Sequence, residues 1–500
     1  MTSYEEFESL ASSANVVPLV ETMLADMHTP VSTYMTLRDG GAPSFLFESA
    51  EPNEKIGRYS FIGSGPSMIL RAKGEWCEIS DRTGTRKIPG TIFESMQAQL
   101  TKFTQAPIPG LEGFLGGFVG YLGYDTVRHL ERLPLTHSDA DGDEAVFGLF
   151  TSFVRFDHRE QRIIIVHNVM LDQARGLREQ FEEGRKAVEA MVLRLRRTTV
   201  PARAFSCTIP DHDDAPDKAA FCAAVARAKQ YIVEGDIFQV VLSRRIELVF
   251  GGDLFAVYRA LRMINPSPYL FHIDFGATRM AGSSPEVLVR IRNSTVEVFP
   301  IAGTRRRGAT VEEDDNLASE LLHDEKELAE HIMLVDLGRN DVGRISEFGS
   351  VRVPVLKRVE RYSHVMHLVS EVCGTLKQGY TALDALKACF PAGTVSGAPK
   401  VRAMEIIHEL ESCPRGAYAG AVGYVGLNGT LDTCIAIRTI VAHHERLRVQ
   451  AGAGIVADSV PEQEYQETAN KAQVLLDALR LAARGLTPSL SPRRFSEGAI

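Results

Sequence analysis

The chain has 500 residues, 44% hydrophobic and 24% charged, with a net charge of −9. Its 41 glycines and 23 prolines are ordinary usage, which excludes collagen-like and low-complexity classes. The acidic balance argues against a nucleic-acid binder, which needs a basic face to neutralise phosphates. At roughly 150 residues per domain, two or three domains are expected.

Read from the start, MTSYEEFESL is acidic and polar where a signal peptide is basic and then apolar, so export is not expected. No run of roughly 18 uninterrupted apolar residues occurs, so no membrane span is expected. The short segments PSFLFESAE, GRYSFIG, SMILRAKG and WCEISD read as strands separated by polar and glycine breaks. GFLGGFVGYLGYD, from Gly113 to Asp125, fits neither G-x-G-x-x-G nor the P-loop pattern. It reads as a buried strand whose glycines admit another backbone. A polar loop is expected from Thr136 to Ala145, and a helix over ARGLREQFEEGRKAVEAMVLRLRR, whose apolar residues recur at helical spacing.

Thr198 to Asp217, rich in proline and aspartate, reads as a boundary. It divides an N-terminal region, 1–205, from a second region, 206–484, with a loose tail at 485–500. In the second region DIFQVVLSRRIEL and CIAIRTIVAHH read as strands, and DNLASELLHDEKELAEHIMLVDLG reads as a helix. Strand-like runs also follow one another without a helix, which favours α+β over a regular β-α-β succession. The seven cysteines are scattered without a C-x-x-C pair, as expected of reduced thiols in a cytoplasmic protein.

The densest chemical signal is a pair of acidic helices. Glu327 and Glu330 share one face, as do Glu464, Glu467 and Lys471 on SVPEQEYQETANKAQVLLDAL. Ser459 and Glu462 have the spacing of a capping box, with Pro461 in the first turn. Such faces are commonly just solvated; two of them on separate helices near glycine-rich loops also suit a Mg²⁺ site of carboxylate oxygens and substrate. His367 within SHVMHLVSEV reads either as a core histidine or as a catalyst. Thr394 in FPAGTVSGAPK either caps a helix or helps hold an anion. Arg438 interrupts the apolar CIAIRTIV and needs a partner if buried.

Taken in order, PIAGTRRRG, ELAEHIMLVDLGRNDVGR, SHVMHLVSEV, GTVSGAPKVRAMEII, RGAYAGAVGY, CIAIRT and QAGAGIVADSVPEQEYQETANKA resemble the chorismate-utilising enzyme family, and above all its anthranilate-forming members. The resemblance implies an α+β fold of two large, mainly antiparallel sheets packed as a sandwich with helices outside. It implies conversion of chorismate and ammonia to anthranilate and pyruvate with Mg²⁺. By motif matching, Glu330 and Glu467 are the metal ligands, supported by Glu327 and Glu464. Arg438, Tyr418, Gly452 and Gly454 hold the enolpyruvyl carboxylate, and Thr304, Thr394 and Lys471 also face the substrate. Glu286 in GSSPEVLVR matches the acid that protonates the departing C4 hydroxyl, and His367 matches the histidine associated with the second elimination.

Two departures sort the relatives. Gln239 stands where water-adding members carry a lysine base, and Ala302 where aminodeoxychorismate synthases often carry a nucleophilic lysine. The chain has no G-x-C-x-G-H-Q glutaminase signature, so a glutamine amidotransferase small subunit is implied as partner. Glu48 and Ser49 in FLFESAE, with Pro268 and Tyr269 in NPSPY, match a tryptophan feedback pocket, although Leu270 replaces a common methionine. The competing readings are an aminodeoxychorismate synthase subunit lacking the lysine, and a catalytically silent tryptophan sensor.

Overall fold

A computed structural model describes the chain except residues 1, 39, 51–56, 134–141, 197–202, 210–217, 362–364 and 487–500. Most of the expected 136–145 loop, much of the 198–217 boundary and nearly all of the tail therefore lie outside the described residues.

Two 12-stranded sheets face one another, and their strand pairs are antiparallel. The space between them is filled by Phe45, Phe271 and Met280 from one sheet and Val119, Val422 and Tyr424 from the other. Helices cover the outer faces, over separate apolar layers. A strand covered on both faces has no need of polar alternation. Gly117–Leu122, Ala145–Phe150 and Ala421–Gly426 are accordingly buried at every residue. The glycine-aromatic segment is thus the buried strand its composition suggests. A Cβ on Gly120 would lie 1.9 Å from the carbonyl oxygen of Val146.

The 205/206 division is one of sequence and not of packing. Ser44–Glu48 pairs with Tyr269–Asp274 in one sheet, and Gly117–Leu122 pairs with Ala421–Gly426 in the other. Neither region completes either sheet without the other.

Three local readings change. DNLASELLHDEKELAEHIMLVDLG spans two helices, Val311–His323 and Glu325–Gly343. Asp324 breaks it, because its carboxylate accepts from the N–H groups of Lys326 and Glu327 and starts the second helix. The expected capping box at Ser459 is absent. With Pro461 at the first helical position Val460 is the cap residue, and the Ser459 hydroxyl accepts instead from the Val456 N–H at 3.1 Å. CIAIRTIVAHH is two strands, Leu431–Ile435 and Thr439–His443, which belong to opposite sheets.

That last break positions the site. Two of the chain's crossings between sheets meet here, from Thr278–Ser284 to Val287–Arg292 and from Leu431–Ile435 to Thr439–His443. The crossings are stitched together: Ile435 N–H donates to the Glu286 carbonyl at 3.0 Å, and Ser283 N–H to the Arg438 carbonyl at 3.1 Å. The two crossings are thereby set side by side, with Glu286 on one and Arg438 on the other.

Candidate active site

Glu286 is held by its surroundings as a carboxyl group that is easily protonated. Burial pushes its pKa up to about 7, against the Thr394 hydroxyl and the Lys471 ammonium, which both favour the ionised form. The Thr394 hydroxyl donates to Glu286 Oε1 at 2.7 Å from the short turn Gly393–Val395. A carboxyl titrating near neutrality is suited to general acid catalysis.

Arg438 takes a left-handed backbone, φ +50°. For a non-glycine residue that costs about 1–3 kcal/mol and persists where surrounding structure enforces it; here the sheet crossing does so. Among the described residues its guanidinium makes no hydrogen bond or ion pair, and it feels the Tyr418 phenol and the Glu467 carboxylate from nearby. Burial pushes its pKa down. The Tyr418 hydroxyl is likewise uncommitted among the described residues, and burial raises its pKa to about 12. The two make a donor pair ready for an anion. Gly452 and Gly454 keep the approach open: a Cβ on Gly452 would lie 2.7 Å from the Tyr418 hydroxyl, and one on Gly454 2.7 Å from Gln239 Nε2.

His367 Nδ1 lies 3.0 Å from the Gly303 carbonyl and 3.1 Å from Thr304 Oγ1. A carbonyl only accepts, so Nδ1 carries the proton and Nε2 is the basic nitrogen. Burial lowers the pKa, and the imidazole is neutral at pH 7.

Carboxylates gather where Glu325–Gly343 and Pro461–Ala483 approach the same space. Burial raises the pKa of Glu330, and Glu327 and Glu467 add like-charge repulsion. Burial likewise raises that of Glu464, with Glu467 adding to it and the Ser459 hydroxyl and Lys471 opposing it. Cations are spread over the rest of the group: Arg305 Nη1 donates to Glu327 at 3.3 Å, and Lys471 Nζ to Glu467 at 2.6 Å and to the Gly452 carbonyl at 2.9 Å. Glu330 itself has a long contact, 3.3 Å from Gln239 Nε2, and the weaker, more distant charge of Lys326. Among the described residues no three acidic, histidine or cysteine side chains surround one point. Two carboxylates completed by substrate oxygens and water suit Mg²⁺, which is seldom caged by protein alone.

A second cavity lies between the sheets, lined by Phe47, Glu48, Ser49, Pro268, Tyr269 and Tyr424 among others. Glu48 is buried and accepts from the Tyr258 hydroxyl and from Arg262 Nε at 3.2 Å. The Tyr269 hydroxyl donates to Asp432 at 2.5 Å and accepts from Arg290 at 2.8 Å.

The family model described as chorismate binding enzyme matches residues 42–477. The chain belongs to the chorismate-binding enzyme family. It is 46% identical over 485 residues to anthranilate synthase component 1 of Acetivibrio thermocellus, covering 96% of this chain and 98% of the relative. It is 45% identical over 490 residues to the protein of that name from Aquifex aeolicus, with 96% and 98% covered. The crystal structure of anthranilate synthase component I from Streptococcus pneumoniae aligns with a TM-score of 0.73 at 37% identity, over 91% of this chain and 99% of that one. The menaquinone-specific isochorismate synthase of Escherichia coli aligns with a TM-score of 0.69 at 21% identity, over 95% and 98%, and shares the fold.

The structure brings residues singled out from the sequence together in pairs. Glu286 meets Thr394, His367 meets Thr304, Arg438 meets Tyr418, and Glu330 faces Glu467. All four residues of the expected feedback pocket line one cavity. Three contributors were missed. Arg305, inside PIAGTRRRG, fans over Glu320, Asp324 and Glu327. Tyr258 and Arg262, which hold Glu48, lie on the helix Phe255–Ile264, far from FLFESAE in sequence. A basic triplet ahead of two acidic helices is a signal for the first; no sequence signal marks the other two.

Proposed function

We propose that the chain is the large subunit of an anthranilate synthase, aminating chorismate at C2 with ammonia and then eliminating pyruvate. The observation that carries this reading is the buried Glu286 carboxyl, titrating near 7, joined through adjacent backbone to the uncommitted Arg438 and Tyr418 donors.

Chorismate is a dianion. Arg438 and Tyr418, with the Gly452 and Gly454 backbone, take the enolpyruvyl carboxylate, and the ring carboxylate lies toward Glu330 and Glu467, with Thr304 at its side. When bound, Mg²⁺ would supply positive charge that offsets the substrate's ring carboxylate and favours the shift of ring electrons. Glu330 and Glu467 would hold it, with Glu327 and Glu464 supporting. Glu286 gives its proton to the C4 hydroxyl, which leaves as water while ammonia adds at C2 and the ring double bonds shift. The ammonium formed loses a proton to solvent water. His367, neutral and basic at Nε2, takes the C2 proton; the bond from the ring to the enolpyruvyl oxygen breaks, the ring becomes aromatic, and the departing enolate takes a proton from solvent at its methylene carbon to give pyruvate. Lys471 sets the local charge at Glu467 and Glu286. Gln239 is a neutral amide and cannot deprotonate water, so ammonia, which brings its own lone pair, is the nucleophile.

Purified chain with chorismate and Mg²⁺ is expected to form anthranilate, read by fluorescence, with ammonium salts but not with glutamine. The rate should climb with the ammonia fraction as pH rises, until Glu286 deprotonates. Without amine, little isochorismate or salicylate should appear. Glutamine-driven turnover by the pure chain, or hydroxylation as fast as amination, would overturn the assignment. A glutamine amidotransferase small subunit supplies the ammonia in the cytoplasm, where this chemistry needs neither membrane nor export. Among the described residues no helix is long and apolar enough to cross a membrane.

Tryptophan is proposed to occupy the second cavity, its indole among Phe47, Tyr269 and Tyr424 and its ammonium toward Glu48. At a hundredfold excess over Kd a ligand of the folded state adds about 2.7 kcal/mol. Tryptophan should therefore raise the thermal midpoint, and Ser49→Phe, which fills the cavity, should abolish the rise. Wild-type protein whose midpoint does not move in millimolar tryptophan would remove the regulatory reading and leave the catalytic one intact.

A further inference from the structure

The buried ion pair between Glu411 and Arg415 makes no hydrogen bond to the side chains assigned to the reaction, yet it touches the turn that carries Thr394, the strand paired with Gly452 and Gly454, and the ring of Tyr418. Arg415 is 1% exposed and Glu411 8%. Arg415 donates to both oxygens of Glu411, Nε at 2.9 Å and Nη2 at 2.7 Å. The same fork reaches outward, Nη1 to the Val395 carbonyl and Nη2 to the Val241 carbonyl, each at 2.7 Å. Val395 follows Thr394 in the turn that presents the hydroxyl to Glu286. Val241 pairs with Gly454 across the sheet. Glu411 adds a second hold on that strand, accepting from the Ser243 N–H at 2.7 Å and its hydroxyl at 2.8 Å, and Ser243 pairs with Gly452. The guanidinium also lies over the ring of Tyr418, 5.7 Å from its centroid.

A planar fork with fixed donor directions transmits position, since moving any acceptor breaks the alignment of the others. A buried pair of this kind is weak evidence for stability and stronger evidence for a fixed arrangement. We propose that Arg415 is a positioning residue which, locked by Glu411, holds Thr394 against Glu286, Tyr418 toward Arg438 and the strand opposite Gly452 and Gly454 in a single register. This rests on the reading of Glu286 as the acid.

The test is the pH dependence of kcat at saturating free ammonia, measured on the full chain. A group that must be protonated gives a rate that falls as pH rises through its pKa. The Thr394 hydroxyl and the Lys471 ammonium both hold the Glu286 pKa down, so releasing Thr394 moves that alkaline limb upward. Arg415→Lys keeps the charge and loses the fork. It is expected to lower kcat about 10- to 100-fold and to move the limb up by about one pH unit. Thr394→Val should move it by a similar amount, and the double variant should add little further. Glu411→Gln keeps the acceptor's shape without its charge, and should shift the limb the same way by less; it carries the test if Arg415→Lys does not fold. A folded Arg415→Lys or Glu411→Gln variant with lowered kcat and an unmoved limb, while Thr394→Val does move it, would overturn the positioning role alone. A wild-type limb that Thr394→Val leaves in place would instead overturn the assignment of Glu286.

Discussion

Glu286→Gln is expected to lower kcat by about 10²- to 10⁴-fold, the span associated with loss of one general acid, while chorismate affinity stays within a few-fold. The amide matches the carboxyl in shape and still accepts from Thr394, so the turn and both sheet crossings should persist. What disappears is a proton that can be transferred to the C4 oxygen. In the wild-type enzyme kcat should fall as pH rises beyond about 7, because burial raises the Glu286 pKa to that value and the reactive form is the protonated one. The sign separates this limb from the nucleophile's. More ammonia is unprotonated at high pH, so kcat/KM for total ammonia first climbs and then turns over, whereas kcat at saturating free ammonia shows only the loss. Stopped-flow anthranilate fluorescence with chorismate binding followed separately measures both. A Glu286→Gln variant within a few-fold of wild-type kcat would remove the acid assignment, and Thr394, whose contact depends on it, would lose its role.

How far this site was legible in the sequence depends on the scale of the feature. Pattern and composition indicated the buried strand at Gly117–Leu122 and an α+β arrangement, because burial on both faces leaves a run without polar alternation. The carboxylate faces of two helices were visible because helical spacing is local. By contrast, nothing in CIAIRTIV distinguishes a continuous strand from two strands in opposite sheets. The break at Arg438 arises from which sheet each half joins, and that is decided by partners far back in the chain, around Glu286. The same limit hid Tyr258 and Arg262 beside Glu48, and the Arg415 fork, since each is a contact between elements remote in the chain. Family resemblance named Glu286 and Arg438; only the fold supplies the reason their two crossings lie side by side. The capping-box expectation failed on a shorter scale. Pro461 fixes the start of its helix one residue later than the Ser459 spacing requires, and the hydroxyl turned back to Val456.

Glu330→Gln and Glu467→Gln are each expected to raise the Mg²⁺ concentration needed for half-maximal turnover at least about tenfold and to lower the maximal rate severely. Each replaces a carboxylate by a neutral, weaker oxygen donor for a hard cation. Glu330 is the more informative position. Its carboxylate is buried and faces Glu327 and Glu467, with the long Gln239 contact and the more distant Lys326 charge in compensation. Without metal that arrangement is costly, since like charges close together raise the free energy of the ionised form. The Glu330→Gln variant removes the repulsion, so its metal-free thermal midpoint should rise, and the midpoint gain that Mg²⁺ gives wild type should shrink. Glu467→Gln should behave differently in the metal-free state, because Lys471 already pairs with Glu467 at 2.6 Å and would keep the Gly452 carbonyl but lose its ionic partner. Glu462→Gln, on the exposed first turn of the same helix, is the control. It removes one favourable charge from a helix N-terminus, costs about 0.3–1 kcal/mol, and should leave the Mg²⁺ requirement unchanged. Calorimetric titration of Mg²⁺ with and without chorismate distinguishes the three variants independently of turnover. If Glu330→Gln bound Mg²⁺ as wild type does, or if Glu462→Gln weakened it equally, the carboxylates would be a solvated acidic surface and the cation would have to be held elsewhere.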